Sequence, residues 1–159
     1  LDSIEAKIGS LAPDFKLHGT NGQEIALSDF RGKKNVIVFF IRETTCPQCR
    51  THVAQLGRMY EQFREAGSEI IVILGEDVEK SKRYADGIGL PFPILSDESL
   101  QLSEVLGLPV FEAAGRTLLK RFTLVISDGT IEHVFYPVFP PDRHASEVLT
   151  WLASRSRSG

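Results

Sequence analysis

Cysteine is scarce in this chain, with two among 159 residues. Small secreted domains stapled by disulfides usually carry more. The two, Cys46 and Cys49, sit so close together that a bond between them would restrain the unfolded chain very little. Structural stapling is therefore a poor explanation for the pair. Charge of one sign is also lacking: the net charge is −3, which leaves no basic footprint for nucleic acid or an anionic membrane surface. No apolar run approaches the ~20 residues of a membrane span. No Gly-rich phosphate loop is present either, since Gly87-Ile88-Gly89 stands alone before Leu90-Pro91, so no organic cofactor is expected. Leu1 to Ser10 lacks the basic start and apolar stretch of a secretory leader. The chain opens on Leu rather than Met, which leaves a removed leader or anchor open. The expectation is a bacterial cytoplasmic protein.

What is present describes one globular domain. A hydrophobic fraction of 42% and a charged fraction of 25% suit a soluble fold, and 159 residues suffice for one core. Residues 1–159 are taken as a single domain, with Ser154 to Gly159 as a disordered tail. Lys34 to Ile41 and Glu69 to Leu74 are unbroken apolar runs of strand length, as expected of strands buried on both faces. Between them, Pro47 to Ala66 reads as one helix. Pro47 suits its first turn, Gly67 suits its end, and Val53, Leu56, Tyr60 and Phe63 recur at helical spacing. Strand, helix, strand makes a βαβ unit with parallel strands. Further helices are expected over Asp77 to Gly87, Ser99 to Leu106, and from Pro140-Pro141-Asp142 to about Ala153. Leu90 to Leu95 reads as extended, and Phe122–Ile126 and Ile131–Phe135 as a hairpin around Asp128-Gly129.

Cys46-Pro47-Gln48-Cys49 falls where the first buried strand gives way to the helix. Free N–H groups and the positive end of the helix dipole favour an anion there, and a thiolate is such an anion. An ordinary thiol, with a pKa of about 8.5, is only a few per cent ionised at neutral pH. Lowering that pKa by two units takes about 2.7 kcal/mol, whereas a helix terminus supplies roughly 0.3–2 kcal/mol. A further donor or positive charge is needed. Residues three apart share a helix face, so the two sulfurs can meet and cycle between dithiol and disulfide. A zinc site is tempting because His52 follows Cys49 by three residues. But His18, His133 and His144 form no second ligand cluster in the sequence, so no metal is expected. His52 reads instead as an exposed helix residue, with polarisation of a thiol as its other role.

With these residues in place, the sequence resembles the alkyl hydroperoxide reductase/thiol-specific antioxidant family, the peroxiredoxins, nearest their bacterioferritin-comigratory (Q-type) branch. Ile8 to Leu17 and Gly22 to Lys33 resemble the family's opening; Phe92 to Asp97 and Lys120 to Gly129 resemble the Q-type branch. The resemblance implies an α/β thioredoxin-like fold of peroxiredoxin type, a mixed sheet flanked by helices on both faces. It places the peroxide-attacking cysteine at Cys49 and puts Cys46 at the family's Thr position. Arg42 stands at its Pro position and His52 at its Glu position. The Q-type partner cysteine would fall at Ala54 and is absent. Arg121 falls at the active-site Arg, the extra positive charge the thiolate needs; its ordinary alternative is a charge at a strand end. Arg42, Thr45 and His52 are supporting candidates. Lys120 to Thr123 contains no proline, whereas thioredoxins carry a cis-Pro there.

The implied function is a thiol-dependent peroxidase that reduces a hydroperoxide through Cys46 and Cys49 and is regenerated by a thioredoxin-like or other thiol reductant, as a monomer or homodimer. The alternatives are a thiol–disulfide oxidoreductase with Cys46 as nucleophile, and a redox sensor or binding module. Which sulfur attacks first stays open at this point.

Overall fold

Asn35–Ile41 forms the central strand β3, and from Val36 onward each of its side chains is buried. In this computed structural model the described residues are 8–9, 11–12, 14–30, 35–41, 47–75, 78–97, 110–113, 116–119, 121–136, 138 and 143–158. Strand β4 (Ser68–Leu74) lies parallel to β3, pairing Val38 with Ile71. On the other side, β8 (Phe122–Ser127) runs antiparallel to β3, pairing Phe39 with Thr123. The sheet is completed by β1 (Lys16–Gly19), β2 (Glu24–Ala26), β5 (Ile94–Ser96) and β9 (Thr130–Phe135), in the order β2-β1-β5-β4-β3-β8-β9. β4 and β5 are parallel; β1 is antiparallel to both β2 and β5. The sheet is therefore mixed, with a parallel core.

Burial on both faces explains the unbroken apolar runs. Val36, Val38, Phe40, Ile71 and Ile73 share one cluster with Leu27, Leu124 and Ile126. Ile37, Phe39, Ile41, Ile70, Val72 and Leu74 point the other way, the alternation that the pleat requires. Among the described residues, four helices pack on that second face: α1 (Pro47–Arg58), α2 (Tyr60–Glu65), α3 (Val78–Ile88) and α4 (His144–Ser158). They contribute Val53 and Leu56, Phe63, Ala85, and Ala145 with Val148 and Leu152 respectively. The opposite face is covered by a 3-10 turn at Leu27–Phe30 and by Phe15, Leu17 and Ile25 of the N-terminal ribbon. The helix expected over Ser99 to Leu106 lies outside the described residues.

Several boundaries differ from expectation. The helix expected from Pro47 to Ala66 is two, parted at Met59, whose φ of −98° and ψ of 5° leave helical geometry. Gly57 lies just before the break, and a Cβ there would stand 3.0 Å from Leu90 Cδ1. The glycine admits the Leu90 side chain and weakens the helix at the same point. Gly67 does end α2, with φ +74°. The final helix continues to Ser158 instead of fraying into a disordered tail after Ala153. Extending a formed helix is easy compared with nucleating one. Two features carried too little pattern to be expected. One is the short β1–β2 ribbon; the other is a separate two-stranded sheet of β6 (Val110–Ala113) and β7 (Arg116–Leu119). The β8–β9 hairpin stands where the sequence puts it, with Asp128 and Gly129 at φ +50° and +82°, as a two-residue turn matched to strand twist requires.

Candidate active site

Pro47 occupies the first position of α1, just beyond the C-terminal end of β3. The ring sets the helical φ, and its missing N–H removes no helical bond there. Cys49 is two residues further on, in the first turn, and is fully buried. Its companions on the buried face are His52, Val53 and Leu56, the one-sided spacing that α1 presents to the sheet. Cys46, Arg42 and Thr45 lie outside the described residues.

Arg121 reaches the same place from the sheet. It precedes β8 by one residue, and β8 pairs Phe122 with Phe40 near the end of β3. Antiparallel pairing thus carries a residue distant in sequence to the mouth of the central strand. Its Nη1 donates to Cys49 Sγ at 3.6 Å and its Nη2 donates to Gln48 Oε1 at 3.2 Å. The planar fork is held at two points, and Gln48 is one that sequence reasoning missed. A charge-assisted hydrogen bond contributes roughly 1.5–3 kcal/mol. Together with the helix terminus, it favours the thiolate against the desolvation that full burial of Cys49 imposes.

Tyr84 closes the site from α3. Its hydroxyl donates to the Arg50 carbonyl oxygen at 2.9 Å, and the Arg50 guanidinium sits 5.5 Å from the centre of its ring. Burial pushes the Tyr84 phenol up; Arg50 opposes that and Cys49 adds to it.

His52 is not the exposed residue expected from sequence: it is 1% exposed. It lies three residues after Cys49 and four before Leu56, on the buried face of α1. Its ring packs edge-on to Phe39 and to His144, at centroid separations of 5.5 and 5.3 Å. Neither ring nitrogen has a hydrogen-bond partner among the described residues. Burial, then the nearby His144 and Arg121, push its pKa down to about 3. A neutral imidazole brings no net charge to the thiolate, whereas the Arg121 guanidinium on Sγ does. The structure also brings His144 beside His52, although they are far apart in sequence. Even so, no group of three or more His, Cys, Asp or Glu side chains that could hold a metal occurs among the described residues.

The AhpC/TSA family model covers residues 8–134. The chain belongs to the AhpC/TSA family. Among curated AhpC/TSA-like relatives, a chloroplastic peroxiredoxin Q of Gentiana triflora is 34% identical over 155 residues, spanning 96% of this chain and 70% of the relative. Peroxiredoxin Bcp of Escherichia coli strain K12 is 33% identical over 150 residues, spanning 92% and 95%. Among solved structures, peroxidoxin BcpB of Mycobacterium tuberculosis superposes with a TM-score of 0.83 at 25% identity, covering 93% of this chain and 97% of that one. A cysteine-to-serine variant of PrxQ from Xylella fastidiosa gives 0.84 at 20% identity, covering 94% and 96%, a likeness of fold. The fold of this AhpC/TSA member is thus thioredoxin-like, of the peroxiredoxin type. No helix among its described residues is long and apolar enough to cross a membrane.

Proposed function

We propose that the chain is a thiol-dependent peroxidase in which Cys49 attacks the hydroperoxide and Cys46 resolves the product. The observation that supports this most directly is the Arg121 guanidinium on Cys49 Sγ. In the first step the Cys49 thiolate attacks one peroxide oxygen. An S–O bond forms, the O–O bond breaks, and the departing oxygen leaves as water or an alcohol after taking a proton. Cys49 is then a sulfenic acid. The Cys46 thiol attacks that sulfur, water departs, and a Cys46–Cys49 disulfide remains. An external dithiol of thioredoxin type reduces it by exchange. Arg121 holds negative charge on sulfur before the attack and faces the oxygens that gain charge during it. Dependence on a thiol reductant suits a reducing compartment such as the bacterial cytoplasm.

The Cys-Pro-Gln-Cys sequence at the start of α1 supports a second reading, disulfide exchange with Cys46 as nucleophile. Rapid mixing with hydrogen peroxide, followed by mass spectrometry, separates the two. Under the peroxidase reading, Cys46→Ser still consumes one equivalent of peroxide and traps a sulfenic acid on Cys49, while Cys49→Ser loses the fast step. If Cys49→Ser keeps the fast step and Cys46→Ser loses it, the roles are reversed. If neither variant reacts faster than a free thiol while the parent reduces disulfides, the second reading replaces the first.

A further inference from the structure

Behind the cysteine site lies a chain of polar groups for which the proposed chemistry has no use. Thr123, on β8 two residues beyond Arg121, is fully buried, and its Oγ1 is 2.7 Å from His144 Nε2. His144, the first residue of α4, is 2% exposed, and its Nδ1 is 2.9 Å from Glu147 Oε1. The Glu147 side chain is 59% exposed. Among the described residues, three rings pack on His144: Phe39 from β3, Phe135 from β9, and His52 from α1. His52 and Glu147 are, among the described residues, the titratable groups shown against it.

The chemistry of the three groups fixes the direction of each bond. A carboxylate only accepts, so a neutral His144 must carry its proton on Nδ1 and donate to Glu147. Its Nε2 then holds a lone pair and accepts the Thr123 hydroxyl proton. Burial holds the His144 pKa down, against the hydrogen bond and charge of Glu147, which raise it. Glu147 selects one tautomer, and that tautomer binds a side chain on the strand that begins just after Arg121. The same ring meets His52 edge-on, and His52 lies on the Cys49 face of α1, one turn along. One imidazole therefore touches both elements that meet at the sulfur.

We propose that Glu147, His144 and Thr123 form a positioning relay, which holds β8 and α1 in the registration that places the Arg121 guanidinium on Cys49 Sγ. The relay touches neither substrate nor the reacting atoms; it acts through Arg121. The inference rests on the reading of Cys49 as the reactive thiol, but it can be tested without peroxide. The test is the pH profile of iodoacetamide alkylation of Cys49, measured by mass spectrometry in the full chain carrying Cys46→Ser.

Charge and position predict opposite signs for Glu147→Ala. Removing a carboxylate by electrostatics alone favours the thiolate and moves the midpoint down. Loosening the relay weakens the Arg121 bond and moves it up. We expect an upward shift of roughly half a pH unit or more, about a threefold fall in thiolate below the midpoint. Glu147→Gln keeps an acceptor for Nδ1–H without the charge, and its midpoint should stay at or slightly below the parent's. Thr123→Val, which removes the other end of the relay, should shift upward like Glu147→Ala. A Glu147→Ala protein that keeps the parent's circular dichroism and urea midpoint, yet has an unchanged or lowered alkylation midpoint, overturns the relay. Because Glu147 is at the surface, this holds even if Thr123→Val fails to fold. If the parent's Cys49 proves inert to peroxide while the shifts occur, the peroxidase reading fails and the relay stands. If peroxide reacts fast and the profiles do not move, the relay fails alone.

Discussion

Replacing Arg121 by alanine removes the hydrogen bond from Nη1 to Cys49 Sγ at 3.6 Å and leaves Gln48 Oε1 without its 3.2 Å donor. The sulfur contact is longer than an N–H···O bond because sulfur is larger, and it joins a cation to an anion once the thiol ionises. Hydrogen bonds to charged groups contribute roughly 1.5–3 kcal/mol. At about 1.36 kcal/mol per pKa unit, the loss should raise the Cys49 pKa by about one to two units. Cys49 is buried, so little water is at hand to replace the lost donor, which favours the upper part of that range. Below its midpoint the thiolate population should then fall roughly ten- to hundredfold. Attack on peroxide should slow by at least as much, because Arg121 also faces the oxygens that gain charge. The assay is the pH dependence of Cys49 alkylation, followed beside the thiolate ultraviolet absorbance in the Cys46→Ser background. Stopped-flow peroxide consumption on the same samples gives the rate. Arg121→Lys should recover part of the pKa effect and less of the rate, since it keeps the charge and loses the planar fork. An Arg121→Ala protein with an unchanged alkylation midpoint would refute the assignment, whatever happened to the peroxide rate.

Two further outcomes follow from the core. His52 has a folded pKa of about 3 against an ordinary 6.5, so the fold prefers it neutral; its stabilising contribution is complete above pH 6.5 and declines as pH falls toward 3. His144, also held down by burial, acts in the same direction. Urea midpoints should therefore fall on acidification below about pH 6.5, and His52→Leu should flatten that acid limb; an equally steep limb in the variant would show that other groups carry it. At the β8–β9 turn, Gly129 has φ +82°, so Gly129→Ala should cost roughly 1–2 kcal/mol. Urea denaturation showing no loss would mean that the turn changes type at no cost.

The sequence by itself determined the parts of this protein that depend on local pattern. Two unbroken apolar runs defined the buried parallel strands, because burial on both faces leaves no place for a polar alternation. Asp128-Gly129 defined the hairpin, because only such residues accept the positive φ of a tight turn. Cys46-Pro47-Gln48-Cys49 marked the start of a helix, and the resemblance carried Arg121 to its neighbourhood. Tertiary structure alone decided what meets across distance. Whether Arg121 reaches Cys49 depends on the antiparallel register of β8 on β3, and no local signal encodes a register. Gln48 entered the site only because the guanidinium fork arrived beside it. His52 had the look of a surface residue until the helix face was set by what it packs against. His144 and Thr123 are 21 residues apart, and their meeting required α4 to pack on the helix-bearing face of the sheet. Periodicity tells which face of an element is buried; only packing chooses the partners that the buried face will have.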